Sequence, residues 1–180
     1  MFDVNADVRL VLVTGGPGAG KTVLCQRLYG GLPKKWRFVP LDNFIGIALA
    51  NPKLGPWPDA AVKFGEVCLD YWRKEKLYPV LVEGVIQNDH QVQRLCRAFG
   101  IAWPGPNVRV LQLTRTVTTH KARRASDAEW SPPMPAGMTK EQAFENLETQ
   151  VPTALTGARR IVTDVLSESQ VLEAALTHLE

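Results

Sequence analysis

The sequence predicts an α/β protein: a five-stranded parallel sheet with helices on both faces. Two observations carry this expectation. Short apolar runs alternate with segments of helical periodicity along the whole chain, the order that βαβ units produce. The first strand candidate is also apolar on successive residues, as a strand buried on both faces must be. A length of 180 residues, 45% of them hydrophobic and 22% charged, predicts one domain over 1–180 and excludes disordered, collagen-like and disulfide-scaffold proteins.

The elements follow in order. Leu10 to Thr14 reads as a buried strand that ends in a glycine cluster. Lys21 to Tyr29 reads as a helix with Val23, Leu24 and Leu28 on one side and Gly30-Gly31 as its stop. Trp36 to Leu41 is the second strand. Phe44 to Pro58 is apolar but irregular, because Pro52, Pro56 and Pro58 break any helix. From Asp59 to Lys76 a long amphipathic helix is expected, with Ala60, Ala61, Phe64, Val67, Cys68, Tyr71 and Trp72 facing inward.

Pro79 to Ile86 is the third strand. Asn88 caps the next helix, which turns Val92, Leu95, Cys96 and Phe99 inward. Val108 to Leu113 is the fourth strand, and residues 115–126 read as helical and basic. Ser131 to Met134 breaks the chain, and Thr139 with Gln142 makes a capping box for a further helix. Ile161 to Thr163 is the fifth strand. Ser167 with Gln170 caps a last helix carrying Val171, Leu172, Ala175, Leu176 and Leu179. The two proline-broken inserts, 43–58 and 115–138, follow the second and fourth strands. Ligands of parallel sheets bind beyond such carboxyl ends.

The net charge of +3 names no partner. Cys25, Cys68 and Cys96 are scattered, which fits reduced thiols and a cytoplasmic protein. The N-terminal segment has acids before its apolar run and no cationic region, unlike a signal peptide, and no apolar run is long enough for a membrane span.

Gly15-Gly16-Pro17-Gly18-Ala19-Gly20-Lys21-Thr22 matches G-x-x-x-x-G-K-[ST] in full, between an expected strand and an expected helix. Glycines let a loop wrap phosphates so that its N–H groups point inward. The helix start adds its positive dipole end. In such a loop Lys21 reaches the β- and γ-phosphates of ATP, and the Thr22 hydroxyl ligates Mg²⁺. The alternative is a glycine-rich turn before an ordinary helix. The chain has no N-K-x-D guanine-binding motif, and the strand VLVEGV carries one acid, Glu83, instead of an Asp-led pair. Glu83 has three readings: it holds Mg²⁺ through water, it orients an acceptor, or it ends a strand with no catalytic role.

With these motifs the chain resembles the P-loop kinases of small molecules and polynucleotides, with an adenylate-kinase-like core. The resemblance runs the whole length and rests on GGPGAGKT, on Asp42 in VPLDNF, on VLVEG and on the basic LTRTVTTHKARR. It implies that Asp42 takes or aligns the proton of an acceptor hydroxyl. It implies that Arg115, Arg123 and Arg124 belong to a lid that clamps phosphate oxygens. Asp42 has an alternative role in an Asx-turn, and the arginines as a solvated helix face.

The acceptor stays open. Between Arg37 and Arg73 the only cations are Lys53 and Lys63, which argues against a nucleoside-monophosphate acceptor. Phe44, Ile45, Ile47, Leu49, Leu54 and Trp57 offer an apolar wall that fits a neutral hydroxylated small molecule or a stacked base. A nucleic-acid acceptor is the competitor: Lys34, Lys35 and Arg37, with Lys121, Arg123 and Arg124, form two basic clusters suited to a phosphate backbone. An ATP-binding switch with little transfer is the third reading.

Overall fold

A parallel sheet buries its central strands on both faces, so its two sets of side chains must find two separate helical layers. The computed structural model of the chain describes residues 2–44, 53, 55, 58–115 and 153–180 and shows this arrangement. Its strands are β1 (Leu10–Gly15), β2 (Arg37–Pro40), β3 (Val80–Gly84), β4 (Val108–Thr114) and β5 (Arg159–Val162). Its helices are α1 (Lys21–Gly31), α2 (Asp59–Lys74), α3 (Asp89–Ala98) and α4 (Glu168–Leu179), and a 3₁₀ turn covers Leu41–Phe44. The expected second helix-breaking insert and the Thr139 capping box fall outside the described residues.

The strands are parallel in the order β2-β3-β1-β4-β5. β1 is the centre, in register with β3 from Leu10↔Val80 to Thr14↔Gly84 and with β4 from Leu10↔Val108 to Gly15↔Leu113. All six of its residues are buried. Leu10 and Leu12 pack with Val80, Val82, Val108 and Val110 under α2 and α3. Val11 and Val13 pack with Leu81, Leu111 and Leu113 under α1 and α4. The unbroken apolar run of β1 is therefore two alternating runs, one for each face.

This topology opens a crevice. α1, which follows β1, lies on one face, and α3, which follows the neighbouring β3, lies on the other. The chain leaves two adjacent strands in opposite directions, so a gap forms at their carboxyl ends. Thr14 ties its two walls together. Its buried hydroxyl donates to Ile86 O (3.0 Å) and accepts from Ile86 N (2.8 Å).

Two helix faces differ from the sequence expectation. In α1 the buried residues are Lys21, Leu24, Cys25 and Leu28, and Val23 is exposed. Gly30 and Gly31 do not stop this helix; they form its last turn, where the Phe2 ring lies against Gly31. In α2 the inward residues are Ala60, Ala61, Val62, Gly65 and Leu69, whereas Val67 is 68% exposed and Tyr71 is exposed too. The reason is close packing: α2 brings Gly65 against Leu41 of the 3₁₀ turn and Leu95 of α3, where a small residue is needed. Val67 and Tyr71, each two residues beyond an inward one, sit about 200° round the helix. Asn88 caps α3 and Ser167 with Gln170 caps α4 as the sequence predicts, with both halves of the second box formed.

Small residues also make room for Leu41. A side-chain carbon on Gly65 would fall 2.7 Å from Leu41 Cδ2, and one on Gly84 would fall 2.8 Å from Leu41 Cβ. Leu41 thus plugs a slot between α2 and β3 and anchors the 3₁₀ turn whose next residue is Asp42. On the opposite side of the sheet's centre, buried Gln112 holds the chain where it returns to β5. Its Nε2 donates to Thr153 O (2.6 Å), and its Oε1 accepts from Leu155 N (3.2 Å).

Leu41→Ala is expected to destabilise the protein by about 2–5 kcal/mol, the usual range for emptying a tight apolar slot. Urea unfolding of both proteins checks this; a loss under ~1 kcal/mol would mean that Leu41 does not anchor the turn.

Candidate active site

The glycine-rich loop leaves β1 at the centre of the sheet and ends at Gly20, the N-cap of α1, with φ 90°. No side chain among the described residues caps this helix end. Its leading N–H groups therefore face the crevice as a ready anion site. Gly18 has φ 66°, and a side-chain carbon there would fall 2.7 Å from an Arg115 Nη1. The Arg115 guanidinium therefore lies across the loop, directly after β4. Only glycine satisfies both the backbone angle and this close approach.

Lys21 opens α1 and turns into the crevice, where its side chain is only 5% exposed. Its Nζ donates to Gly16 O (3.3 Å) and lies 3.7 Å from Asp42 Oδ2. Asp42 comes from the turn after β2, two strands away from β1. Its other oxygen, Oδ1, is buried and accepts no hydrogen bond among the described residues. Phe44, on the same turn, stacks on Phe64 of α2 with ring centroids 4.9 Å apart and planes 9° apart.

Thr22 faces the third strand. Its hydroxyl donates to Glu83 Oε1 at 2.5 Å. Glu83 is 2% exposed, and burial raises its carboxyl above the usual range. The Asp42 charge pushes the same way; the Thr22 hydrogen bond and Lys21 oppose it. Because Thr22 spends its proton on Glu83, its lone pairs are left for another partner. A hydroxyl oxygen backed by a carboxylate fits Mg²⁺, which takes few protein ligands and completes its shell with water and phosphate oxygens. Among the described residues no cluster of three or more His, Cys, Asp or Glu could hold a metal alone. A cation here would therefore complete its shell with water or ligand oxygens.

The fold thus brings together loop 15–22, Asp42, Glu83 and Arg115 from four separate stretches of chain. Arg123 and Arg124 lie outside the described residues, as does Lys121. Lys34, Lys35 and Arg37 lie elsewhere. They precede or open β2 at the amino end of the sheet, where Arg37 aligns with Val80 and Leu10. Five residues of strand, about 16 Å, separate that level from the loop. The basic cluster read in the sequence is not part of this site. Sequence reasoning also missed Thr14, Leu41 and Gln112. None carries a local signal, since each acts on residues distant in sequence.

The thiols stay out of the chemistry. Cys25 lies one helical turn from Lys21 but is buried, and burial raises its pKa well above the ordinary value. Burial pushes the Cys96 thiol up to about 12. No helix among the described residues is long and apolar enough to cross a membrane.

Solved structures with this architecture include a sugar kinase from Janibacter sp., 18% identical with a TM-score of 0.66 over 96% of this chain and 94% of that one. What the two share is the fold, a five-stranded parallel sheet with helices on both faces. A gluconokinase from Sinorhizobium meliloti is 13% identical with a TM-score of 0.59, over 94% of this chain and 90% of its own. Kti12 of Chaetomium thermophilum, solved with ADP-AlF3, is 17% identical with a TM-score of 0.59, over 95% of this chain and 99% of its own. The chain matches no known protein-family model and none of the curated proteins.

Glu83→Gln keeps an acceptor for the Thr22 hydroxyl and removes a buried charge. A carboxyl held above its usual range gives most stability when protonated and loses that contribution as pH rises through its raised folded value. The variant is therefore expected to melt above the wild type at neutral pH, by roughly 2–4 °C for each kcal/mol gained. The gap should shrink as pH falls to the usual carboxylate range, about pH 4. Calorimetry at the two pH values checks this; a wild type that melts higher at neutral pH contradicts it.

Proposed function

We propose that the chain is an ATP-dependent kinase that transfers the γ-phosphoryl group to a hydroxyl of a small molecule. The observation that carries the reading is the meeting of Lys21 and Asp42 in one crevice, 3.7 Å apart and drawn from different strands. A glycine-rich loop with a buried lysine binds phosphates, and a carboxylate beside it supplies what a hydroxyl nucleophile needs. Loop 15–22 holds the β- and γ-phosphates through its N–H groups and Lys21. Asp42 Oδ1, which has no hydrogen-bond partner among the described residues, accepts the proton of the incoming hydroxyl. The acceptor oxygen bonds to the γ-phosphorus as the bond from that phosphorus to the β–γ bridging oxygen breaks, and ADP leaves.

Arg115, already lying across Gly18, is placed to neutralise charge on the transferring group. Thr22 and Glu83 would hold Mg²⁺, which neutralises phosphate charge when bound. Arg123 and Arg124 are proposed to join Arg115 from the segment 115–138.

A small-molecule acceptor is favoured over nucleic acid by the place of Lys34, Lys35 and Arg37, at the far end of the sheet. The acceptor-side insert, 43–58, carries one cation, Lys53, which suits a neutral compound. Free, scattered thiols fit a reducing compartment, and we place the protein in the cytoplasm as a single domain over 1–180.

The test is transfer of labelled γ-phosphate from ATP to a panel of sugars, nucleosides, hydroxylated antibiotics and 5′-hydroxyl oligonucleotides. Label is expected on a small molecule. Lys21→Ala should abolish transfer in a folded protein, and Asp42→Asn should lower kcat by ~10²-fold or more. Full activity in Lys21→Ala removes the phosphate-loop assignment. Tight ATP binding with no label on any acceptor, in the wild type, would move the reading to a switch.

A further inference from the structure

Lys21 and Asp42 hold each other in the structure, yet phosphoryl transfer needs each of them for something else. Resting on the nucleotide-site reading above, we infer that Asp42 is also a latch on Lys21. It occupies the ammonium in the nucleotide-free protein, opposes nucleotide binding, and becomes available to an acceptor only when phosphates draw Lys21 away.

The contacts support this. Lys21 Nζ has two partners among the described residues, the Gly16 carbonyl inside the loop and Asp42 Oδ2 outside it. With the side chain 5% exposed, water does little of the work of neutralising the ammonium, so Asp42 supplies a countercharge that matters. A lysine ammonium is a compact point charge on a flexible stem and cannot face two anions fully at once. Phosphates entering the loop compete with Asp42 for it.

The neighbouring pair behaves differently. Thr22 gives Glu83 a proton and keeps its lone pairs, so a cation can bind without breaking that hydrogen bond. Of the two carboxylate contacts described in the crevice, the Lys21–Asp42 pair is therefore the one that nucleotide must loosen. Asp42 Oδ1 is already without a hydrogen-bond partner among the described residues, so release of Oδ2 leaves the whole carboxylate for a hydroxyl. Nucleotide and acceptor then assist each other's binding, and the assistance is reciprocal. The latch also gives a sign that a catalytic base alone does not: removing the charge should weaken catalysis and strengthen nucleotide binding.

ADP is the probe, because it lacks the γ-phosphate that Asp42 would repel directly. Calorimetric titration without acceptor would compare wild type, Asp42→Asn, Lys21→Ala and the double variant. ADP is expected to bind Asp42→Asn about tenfold more tightly than wild type, within the usual span of coupling between sites. In the Lys21→Ala background the same change should leave ADP affinity within about twofold, since no ammonium remains to be released. Unchanged or weaker ADP binding by Asp42→Asn overturns the latch. So does a tenfold gain that persists without Lys21, because that is plain repulsion between Asp42 and phosphate. A wild type that binds no ADP overturns the nucleotide-site reading itself, a result distinct from either of these. Should Asp42→Asn fail to melt cooperatively, Asp42→Ser, polar and uncharged, carries the same comparison.

Discussion

One constraint organises this molecule: an ammonium group is kept almost out of water at the mouth of a parallel sheet. A buried charge is tolerated only where opposite charge and hydrogen bonds surround it. Lys21 meets that condition with the Gly16 carbonyl and Asp42 Oδ2, and feels the Glu83 charge as well. The acids come from the carboxyl ends of β2 and β3, while Lys21 follows β1. Moving any of these strands by one register would leave a charge buried without its partner.

The parts that hold those strands are apolar or neutral. Leu41 fills the slot left by Gly65 and Gly84, which sets the height of the turn bearing Asp42. Thr14 fixes the end of β1 to Ile86 just past β3, so the loop and Glu83 share one frame. Glu83 carries the strain of the arrangement: burial disfavours its charge, and the Thr22 hydroxyl offsets part of that. A site assembled this way has its loop and the Thr22 hydroxyl positioned by packing, whereas its lysine is held by Asp42.

Much of this was legible beforehand. The strand–loop–helix context of Gly15 to Thr22, the alternation of strands and helices, and the caps at Asn88 and Ser167 are local patterns. Among the described residues the structure shows five strands, four helices and these two caps close to the expected places. What failed to read was the phase of helices. Counting large apolar residues places Val67 and Tyr71 inside α2, yet Ala61 and Gly65 are the buried ones, since Gly65 packs closely on Leu41 and Leu95 and a larger side chain would not fit. Lys34, Lys35 and Arg37 looked like a possible strand track, but nothing local in a sequence says which end of a sheet a cluster will occupy.

By itself the sequence determined the fold class, and it marked the glycine-rich loop and the acids that the fold gathers beside it. Periodicity and a contiguous motif are properties of neighbouring residues, and they survive being read one stretch at a time. Only the tertiary structure decided that the chain orders its strands β2-β3-β1-β4-β5, and so brings Asp42 and Glu83 to Lys21 and lays Arg115 over Gly18. Those meetings join residues up to about a hundred positions apart, and their geometry is set by how two helical layers pack on one sheet.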